Sequence, residues 1–564
     1  MRLHRAHPQK EFEVAAFEAS EKARARSLLE SLREGRAGIR NGVDAELLKQ
    51  ERELLQQINA KADRHMRLAN GKQTEEAEAL AREISQLTAQ HDQLKVKIKQ
   101  TSPHYAALTQ PQPLSLREIQ QRVLDEDSLL LEYALGEERS YVWVITRTEI
   151  ASFVLPGRAE IESLVRRCYE LLIARPRTQQ ENIAAYQERI VREETEFQAK
   201  IATLSQMLLQ QVAPKLTRKR LLVVADGALQ YLPFQALLLP KPNEAEAAPL
   251  IAKYEIVNEP SASALAILLQ ETAGRKPAPN AVAVLADPVF EASDERVQTA
   301  GATTAKRSDP PAELQQTLRD VGVLQDNGKI PRLYASREEA NAILALTPWR
   351  KGFSATDFEA SRATFTNTDF SRFRIIHLAT HGFLSNDHPE MSGIVLSLVD
   401  RQGKAQEGFL RQLDIYNLTL PVELVVLSAC NTGLGKDVKG EGLVGLTRGF
   451  MYAGAASVVA SLWKVDDNAT AELMQHFYEG ILKQGHSPAA ALRQAQLAML
   501  KQKRWRSPYY WAGFVIQGQY ANSAVPQSTH LTPWLIACLV VGTVVSLFVL
   551  GLRWRRKQTQ INAS

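Results

Sequence analysis

Residues 424–433, LVVLSACNTG, carry the pattern that decides the fold and raise the first question about function. An apolar run leads into Ser428, Ala429 and Cys430, and turn-forming residues end it. Short apolar runs bounded by such residues are typical of buried strands. Cys430 is therefore predicted to lie where a buried strand meets a loop, an unusual place for one of only three cysteines in 564 residues.

The same pattern recurs between residues 218 and 520, where apolar, β-branched runs alternate with helical segments. The runs are RLLVVADG (220–227), AVAVLADP (281–288), FRIIHLATHG (373–382), ELVVLSACNTG (423–433) and ASVVASLW (456–463). This alternation predicts an α/β/α sandwich with a mostly parallel sheet covered by helices on both faces. Functional sites in such sheets form at the carboxyl ends of the strands, where Cys430 is expected.

Composition excludes several classes of protein. The net charge of +5 is small for this length and gives no reason to expect nucleic acid as a partner. Cys168, Cys430 and Cys538 are too far apart in sequence for a disulfide framework or a cysteine zinc site. Cys168 and Cys538 are interpreted as small buried hydrophobic residues.

Residues 534–552, WLIACLVVGTVVSLFVLGL, contain no charged side chain. A helix of this length spans roughly 28 Å, about the thickness of the hydrocarbon core of a bilayer. The sequence thus predicts a C-terminal transmembrane helix, a single-pass membrane location and contact with lipid, followed by a basic tail at 553–564. The positive-inside rule places that tail in the cytoplasm, but residues 1–14 lack the apolar core of a signal peptide, so the side of the main body stays open.

The first 217 residues divide into two predicted regions. Residues 1–110 are helical: 11–36 form one amphipathic helix, and two further helices form a hairpin broken at Asn70-Gly71. The opening helix resembles the second helix of a tetratricopeptide repeat, which predicts protein partners for this region. Residues 111–217 hold short β-rich runs near 129–155 and then a helical linker.

Two histidines lie on the predicted strand FRIIHLATHGF, 373–383. His377 and His381 would be about 13 Å apart along a strand, too far to share one metal ion. We therefore expect no metal, and we interpret His377 as a hydrogen-bonded core residue. His381 comes just before Gly382 and is expected to be exposed at the strand end, 49 residues before Cys430.

A cysteine thiol needs a neighbouring base to act as a nucleophile, because its ordinary pKa is about 8.5. Two adjacent strand ends can bring His381 and Cys430 within reach of each other. A glycine after the histidine lets the backbone approach a substrate closely and offer its N–H to a developing oxyanion. The order His-Gly and then Cys, roughly 50 residues later, matches the spacing known for caspases.

Four longer motifs resemble the CHAT domain family: HLATHG (377–382), LSACNTG (427–433), GEGLVGLTRGFMYAGAASVVASLWKVDD (440–467) and SPYYWAGFVIQG (507–518). The resemblance covers 218–520 and implies a caspase-like fold. That family is mostly bacterial, includes signalling proteins and often follows tetratricopeptide repeats. Carried over, His381 is the general base, Cys430 is the nucleophile, and the backbone N–H groups of Gly382 and Cys430 form the oxyanion hole, with no cofactor.

One departure from caspases concerns substrate choice. The glycine that follows the caspase cysteine is replaced by Asn431, and the residues that bind an acidic substrate side chain do not transfer. Asp287, Asp387 and Glu441 are acidic residues that the sequence does not assign to a pocket for basic side chains.

The stretch GEGLVG, 440–445, also matches the glycine pattern of dinucleotide-binding folds. That fingerprint requires a strand ending directly at the first glycine, whereas LGKDVK separates the two here. We interpret the stretch as a loop bordering the active cleft.

Three function classes follow. The first is a membrane-anchored cysteine endopeptidase that cleaves a protein substrate and is controlled through its helical N-terminal region or a partner. The second is a catalytically silent caspase-like scaffold, and the third is a nucleotide-binding regulator.

Overall fold

The computed structural model describes six main stretches of the chain. They are residues 12–36, 114–239, 248–298, 329–383, 392–431 and 442–520, apart from 176, 178–180 and 349, together with helical positions within 46–61 and 79–97. Side chains are described for most of these residues, although for Cys430 only the backbone is.

Thirteen strands of the described stretches form one sheet. They are β1 (Ser128–Ala134), β2 (Ser140–Ile145), β3 (Ile150–Leu155), β4 (Arg220–Val224), β5 (Glu255–Glu259), β6 (Asn280–Pro288), β7 (Gly352–Asp357), β8 (Phe373–Phe383), β9 (Gly393–Val395), β10 (Phe409–Arg411), β11 (Leu424–Asn431), β12 (Ser457–Ser461) and β13 (Phe514–Gly518).

Twelve helices accompany the sheet in the described part of the chain. They are α1 (Phe12–Arg36), α2 (Leu116–Arg122), α3 (Arg158–Ile173), α4 (Ile183–Leu209), α5 (Ala262–Thr272), α6 (Tyr334–Leu346), α7 (Arg362–Asn367), α8 (Gln412–Tyr416), α9 (Gly442–Ala453), α10 (Asp467–Tyr478), α11 (Pro488–Leu500) and α12 (Pro508–Trp511).

The sheet is mixed but mostly parallel. Its order is β7-β6-β8-β11-β12-β13-β5-β4-β1-β2-β3, and β9 and β10 extend from the carboxyl end of β8. Strand β13 runs antiparallel to β12, and β2 and β3 form an antiparallel edge. The β-rich runs near 129–155 therefore belong to the same sheet as the later strands, since β1 pairs in parallel with β4.

The central strands are buried along their whole length, as their β-branched and apolar sequences require. All five residues of β12 and the last eight of β6 are buried, so helices cover both faces of the sheet. In one group of helices, α10 packs against α6 and α11. In a second group, α1 packs against α5 and α9. The five neighbouring parallel strands β7, β6, β8, β11 and β12 present their carboxyl ends to the same edge of the sheet.

Helix α1 is an integral part of this core rather than an appendage. Phe17 is fully buried, and its ring lies 6.0 Å from that of Trp143 on β2. The buried carboxylate of Glu21 accepts hydrogen bonds from the backbone N–H groups of Ala262 and Ser263 at 3.0 and 2.8 Å. These groups open helix α5 and have no partner within it, so Glu21 satisfies donors that would otherwise be unpaired.

The predicted helical hairpin is only partly described. Helical residues lie within 46–61 and 79–97, and Lys61 forms an ion pair of 2.6 Å with Glu83 across the expected turn. The turn at Asn70-Gly71 lies outside the described residues, and the hairpin stays a prediction.

The structure contradicts the prediction of a transmembrane helix and a single-pass membrane location, and that prediction is wrong. None of the helices in the described stretches is both long and apolar enough to cross a bilayer. The long helices α1 and α4 carry charged residues throughout, and the apolar helix α5 has 11 residues, about 16 Å of helix against the roughly 30 Å needed. The segment 534–552 and the tail 553–564 lie outside the described residues, and the predicted lipid contact loses its support.

The buried position of Phe17 predicts a large effect on stability. Phe17→Ala should lower the free energy of unfolding by about 3–5 kcal/mol, because it removes an aromatic ring from a closed core. Lys22→Ala, at an exposed position of the same helix, should change it by less than about 0.5 kcal/mol. Denaturant unfolding of the two variants checks this, and equal effects would show that α1 does not contribute to the core.

Candidate active site

The pairing of β8 with β11 brings the two candidate catalytic residues to one place. The strands pair in regular parallel register from Leu424 opposite Ile375 to Ser428 opposite Ala379. The register then shifts, and the backbone of Cys430 lies opposite Gly382, the residue that follows His381. Shifts of this kind are common next to active sites, where they redirect a side chain. His381, Gly382 and Cys430 thus meet at the carboxyl ends of two neighbouring strands.

The imidazole of His381 is held in one orientation by a backbone carbonyl. Its Nε2 lies 2.7 Å from the carbonyl oxygen of Pro331. A carbonyl oxygen can only accept a hydrogen bond, so Nε2 carries the proton. In the neutral ring the lone pair is then on Nδ1, which leaves that nitrogen able to accept a proton.

His381 is buried, which corrects the expectation that it would be exposed. It is 4% exposed, and the ring of Phe290 lies 5.4 Å from its own. Burial lowers the pKa of His381 to about 4, the hydrogen bond to Pro331 opposes this shift, and the charge of Lys464 adds to it. The imidazole is therefore neutral at neutral pH, the form required of a base.

His377 is a hydrogen-bonded core residue, as expected. Its Nδ1 lies 3.0 Å from the hydroxyl of Tyr478, and its Nε2 lies 2.9 Å from Oε1 of Glu339. The same carboxylate accepts a hydrogen bond of 2.7 Å from Ser428 Oγ. Glu339 lies on α6 and is buried, so one carboxylate joins β8 to β11 immediately before the register shifts.

Sequence reasoning missed both Glu339 and Pro331. Glu339 stands in a helix with an ordinary amphipathic pattern, and Pro331 acts through its backbone rather than its side chain. Neither leaves a signal in one sequence, because each gains its role only from strands that are distant along the chain.

Asp287 is not available to bind a basic substrate side chain. It is completely buried, and its carboxylate is fully occupied by three guanidinium groups. These belong to Arg332, at 2.8 Å to both oxygens, Arg337, at 3.0 Å, and Arg296, at 3.1 Å. The other two unassigned acidic residues, Asp387 and Glu441, lie outside the described residues.

A further acidic group lies beyond β12, the strand on the other side of β11. Asp467 begins helix α10, and burial, with the neighbouring Asp466, raises its pKa to about 6. Asp466 itself accepts a hydrogen bond from Ala469 N at 2.9 Å and so caps the helix. This end of the sheet therefore carries two partly buried acidic side chains, those of Asp466 and Asp467.

Neither a metal site nor a dinucleotide site emerges from the part of the chain that the structure describes. It holds no cluster of three or more His, Cys, Asp or Glu side chains that could bind a metal ion. Strand β11 ends at Asn431 and α9 begins at Gly442, and the first glycine of GEGLVG lies between them, outside the described residues.

Two solved structures show a distant likeness. The separase–securin complex of Saccharomyces cerevisiae aligns over 78% of this chain and 34% of its own, with 10% identity and a TM-score of 0.45. The Arg-specific cysteine proteinase gingipain R aligns over 57% of this chain and 67% of its own, with 11% identity and a TM-score of 0.35. At these scores the likeness carries no conclusion about activity.

Two curated relatives match a short stretch of the chain. Tetratricopeptide repeat protein 28 of Homo sapiens is 37% identical over 123 residues, and that of Mus musculus is 36% identical over 123 residues. The match covers 22% of this chain and only 5% of either relative, so the activity of those whole proteins does not carry over to this chain.

The family comparison covers much more of the chain. The model of the CHAT domain matches residues 198–519, more than half of the sequence, and the match contains every strand from β4 to β13. It includes His381, Gly382 and Cys430 and begins within helix α4, upstream of the boundary expected at 218. The chain therefore belongs to the CHAT domain family.

Proposed function

We propose that this protein is a cysteine endopeptidase that cleaves a protein substrate with His381 as general base and Cys430 as nucleophile. The observation that carries the proposal is the register between β8 and β11, which sets the backbone of Cys430 opposite Gly382 beside a neutral, oriented imidazole.

In this reaction the Nδ1 lone pair of His381 takes the proton of the Cys430 thiol. The sulfur attacks the carbonyl carbon of the scissile peptide bond, and the oxygen becomes an oxyanion that the N–H groups of Gly382 and Cys430 stabilise. The imidazolium then gives its proton to the leaving amine. Water hydrolyses the resulting thioester, again with His381 as the base, and restores the enzyme.

The burial of His381 supports a general-base role rather than a preformed ion pair. A ring with a pKa of about 4 carries no charge at neutral pH, so it accepts the proton during the attack and not beforehand. The carbonyl of Pro331 then stabilises the imidazolium that forms, because its bond to Nε2–H strengthens as the ring becomes charged.

Control by the N-terminal region is part of the proposal. Helix α1 packs against α9, the first helix that the structure describes after Cys430, and against α5. A protein bound to the N-terminal helices would therefore act on an element that lies close in sequence to the nucleophile.

The Phe17→Ala variant tests this control. The rate at which iodoacetamide labels Cys430 should fall at least about fivefold in Phe17→Ala, while Lys22→Ala should leave that rate unchanged.

The dyad predicts a specific pattern of cleavage. When the full-length protein is incubated with a diverse peptide library, mass spectrometry should detect new termini that share a preferred residue before the cut. Cys430→Ala and His381→Ala should each reduce cleavage by at least about 10³-fold, because each removes a group that takes part in bond formation or proton transfer.

Cys168→Ala is the matched control, since it removes another thiol, buried on α3, without removing either member of the dyad. Cuts that persist in Cys430→Ala would rule out Cys430 as the nucleophile. No cuts in any form, together with an unreactive Cys430, would favour the catalytically silent scaffold instead.

The pKa of His381 predicts the pH dependence of hydrolysis. The base is active when neutral, so activity is present above its pKa and is lost as the pH falls through about 4, rather than through the ordinary 6.5. The acid limb of kcat/KM should therefore lie near pH 4. Phe290→Ala exposes the ring and should move the limb upward, whereas a wild-type limb near 6.5 would contradict the buried, neutral base.

A further inference from the structure

The hydrogen bond between Pro331 and His381 depends on where the backbone of residue 331 is held. This residue precedes α6, in the short segment 331–337. Three side chains of the segment contact one residue, Asp287, the last but one of β6, which lies two places from β11 in the sheet. They are Arg332, Ser336 and Arg337.

The contact of Arg332 is the most restrictive of the three. Its Nε and Nη2 donate to the two carboxylate oxygens of Asp287, each at 2.8 Å. Two parallel hydrogen bonds from a planar guanidinium fix both the distance and the orientation of the pair. Because Arg332 directly follows Pro331, this pairing limits where the Pro331 carbonyl can point.

The other contacts hold the same segment from its far end. The backbone N–H of Asp287 donates to Ser336 Oγ at 3.1 Å, and Arg337 Nε donates to Asp287 Oδ2 at 3.0 Å. Arg337 also pairs with Asp357, at the end of β7. Asp287 therefore binds the segment through its backbone and its side chain.

The backbone of Asp287 has an unusual conformation. Its φ is +49°, a region that residues other than glycine seldom adopt and that costs free energy. Such a conformation persists only where the surroundings determine it, and here the three contacts with 331–337 do so. Strain of this kind is concentrated at functional sites.

We propose that Asp287 and Arg332 form a positioning pair for the catalytic base: they fix the Pro331 carbonyl, which holds His381 in the tautomer with its proton on Nε2. The proposal rests on the proposed function only in taking His381 as the base for Cys430. Neither Asp287 nor Arg332 touches the reacting atoms.

The test compares Arg332→Lys with a control variant of a neighbouring residue, Glu295→Gln. Arg332→Lys keeps the positive charge but loses the two-point contact with Asp287, and it is milder than Asp287→Asn, which would leave three buried guanidinium groups without their shared partner. Glu295→Gln is the control, because Glu295 contacts Arg332 Nη1 at 2.9 Å but is 77% exposed, where solvent weakens an ion pair, and its loss leaves both contacts of Arg332 with Asp287 in place.

Two measurements are made on the full-length protein. The first is the tautomer of His381, from nitrogen NMR of a sample labelled in its histidine rings, with His381→Ala to assign the signal. The second is the rate at which iodoacetamide labels Cys430, with Cys430→Ala to subtract the other cysteines. Neither requires a peptide substrate.

Wild type and Glu295→Gln should show the Nε2–H tautomer alone. Arg332→Lys should show both tautomers, and its labelling rate at neutral pH should fall about tenfold or more, since small misplacements of a catalytic group are costly. A single unchanged tautomer and an unchanged rate in folded Arg332→Lys would overturn the proposal. If peptide cleavage is absent but the tautomer shifts as expected, the positioning pair stands and the proposed peptidase function fails.

Discussion

The structure depends on the parallel pairing of β8 with β11. This pairing is buried between two groups of helices, and its register is fixed on both strands by apolar side chains that face the core. Because helices cover both faces of the sheet, a slip of one residue would exchange the side chains that face the two helical layers. The pairing of β8 with β11 departs from regular register at one place, after Ser428. This shift sets Cys430 opposite Gly382 at the end of the sheet.

Buried polar groups reinforce that pairing on one side of the sheet. Glu339 binds a side chain from each strand, and Asp287 binds the segment that orients His381. A buried carboxylate without partners would be costly, so each is stabilised only in the assembled site. Glu339 itself and two of the arginines that bind Asp287 lie within residues 331–339, which makes the start of α6 a support for His381, His377 and Ser428 at once.

The sequence predicted the sheet and the meeting of His381 with Cys430 because buried parallel strands leave continuous apolar runs that end at recognisable turns. It also predicted His377 as a core residue, from its place inside such a run. It failed for His381, which was expected to be exposed but is buried beside Phe290 and Pro331, because burial depends on contacts that are distant along the chain. The sequence left Asp287 unassigned, and three arginines bind its carboxylate. Hydropathy alone predicted a membrane-spanning helix, which no helix in the described stretches supports.

The central claim is that His381 activates Cys430, and the pH dependence of alkylation at Cys430 tests it most directly. The rate of reaction with a small electrophile is followed from pH 4 to 10 in the wild type and in His381→Ala. The account predicts that the wild type stays reactive well below neutral pH, whereas His381→Ala becomes reactive only as an ordinary thiol ionises, near pH 8.5. The reactivity profile of His381→Ala should therefore lie about four pH units above that of the wild type. Identical profiles near 8.5 in both proteins would contradict it.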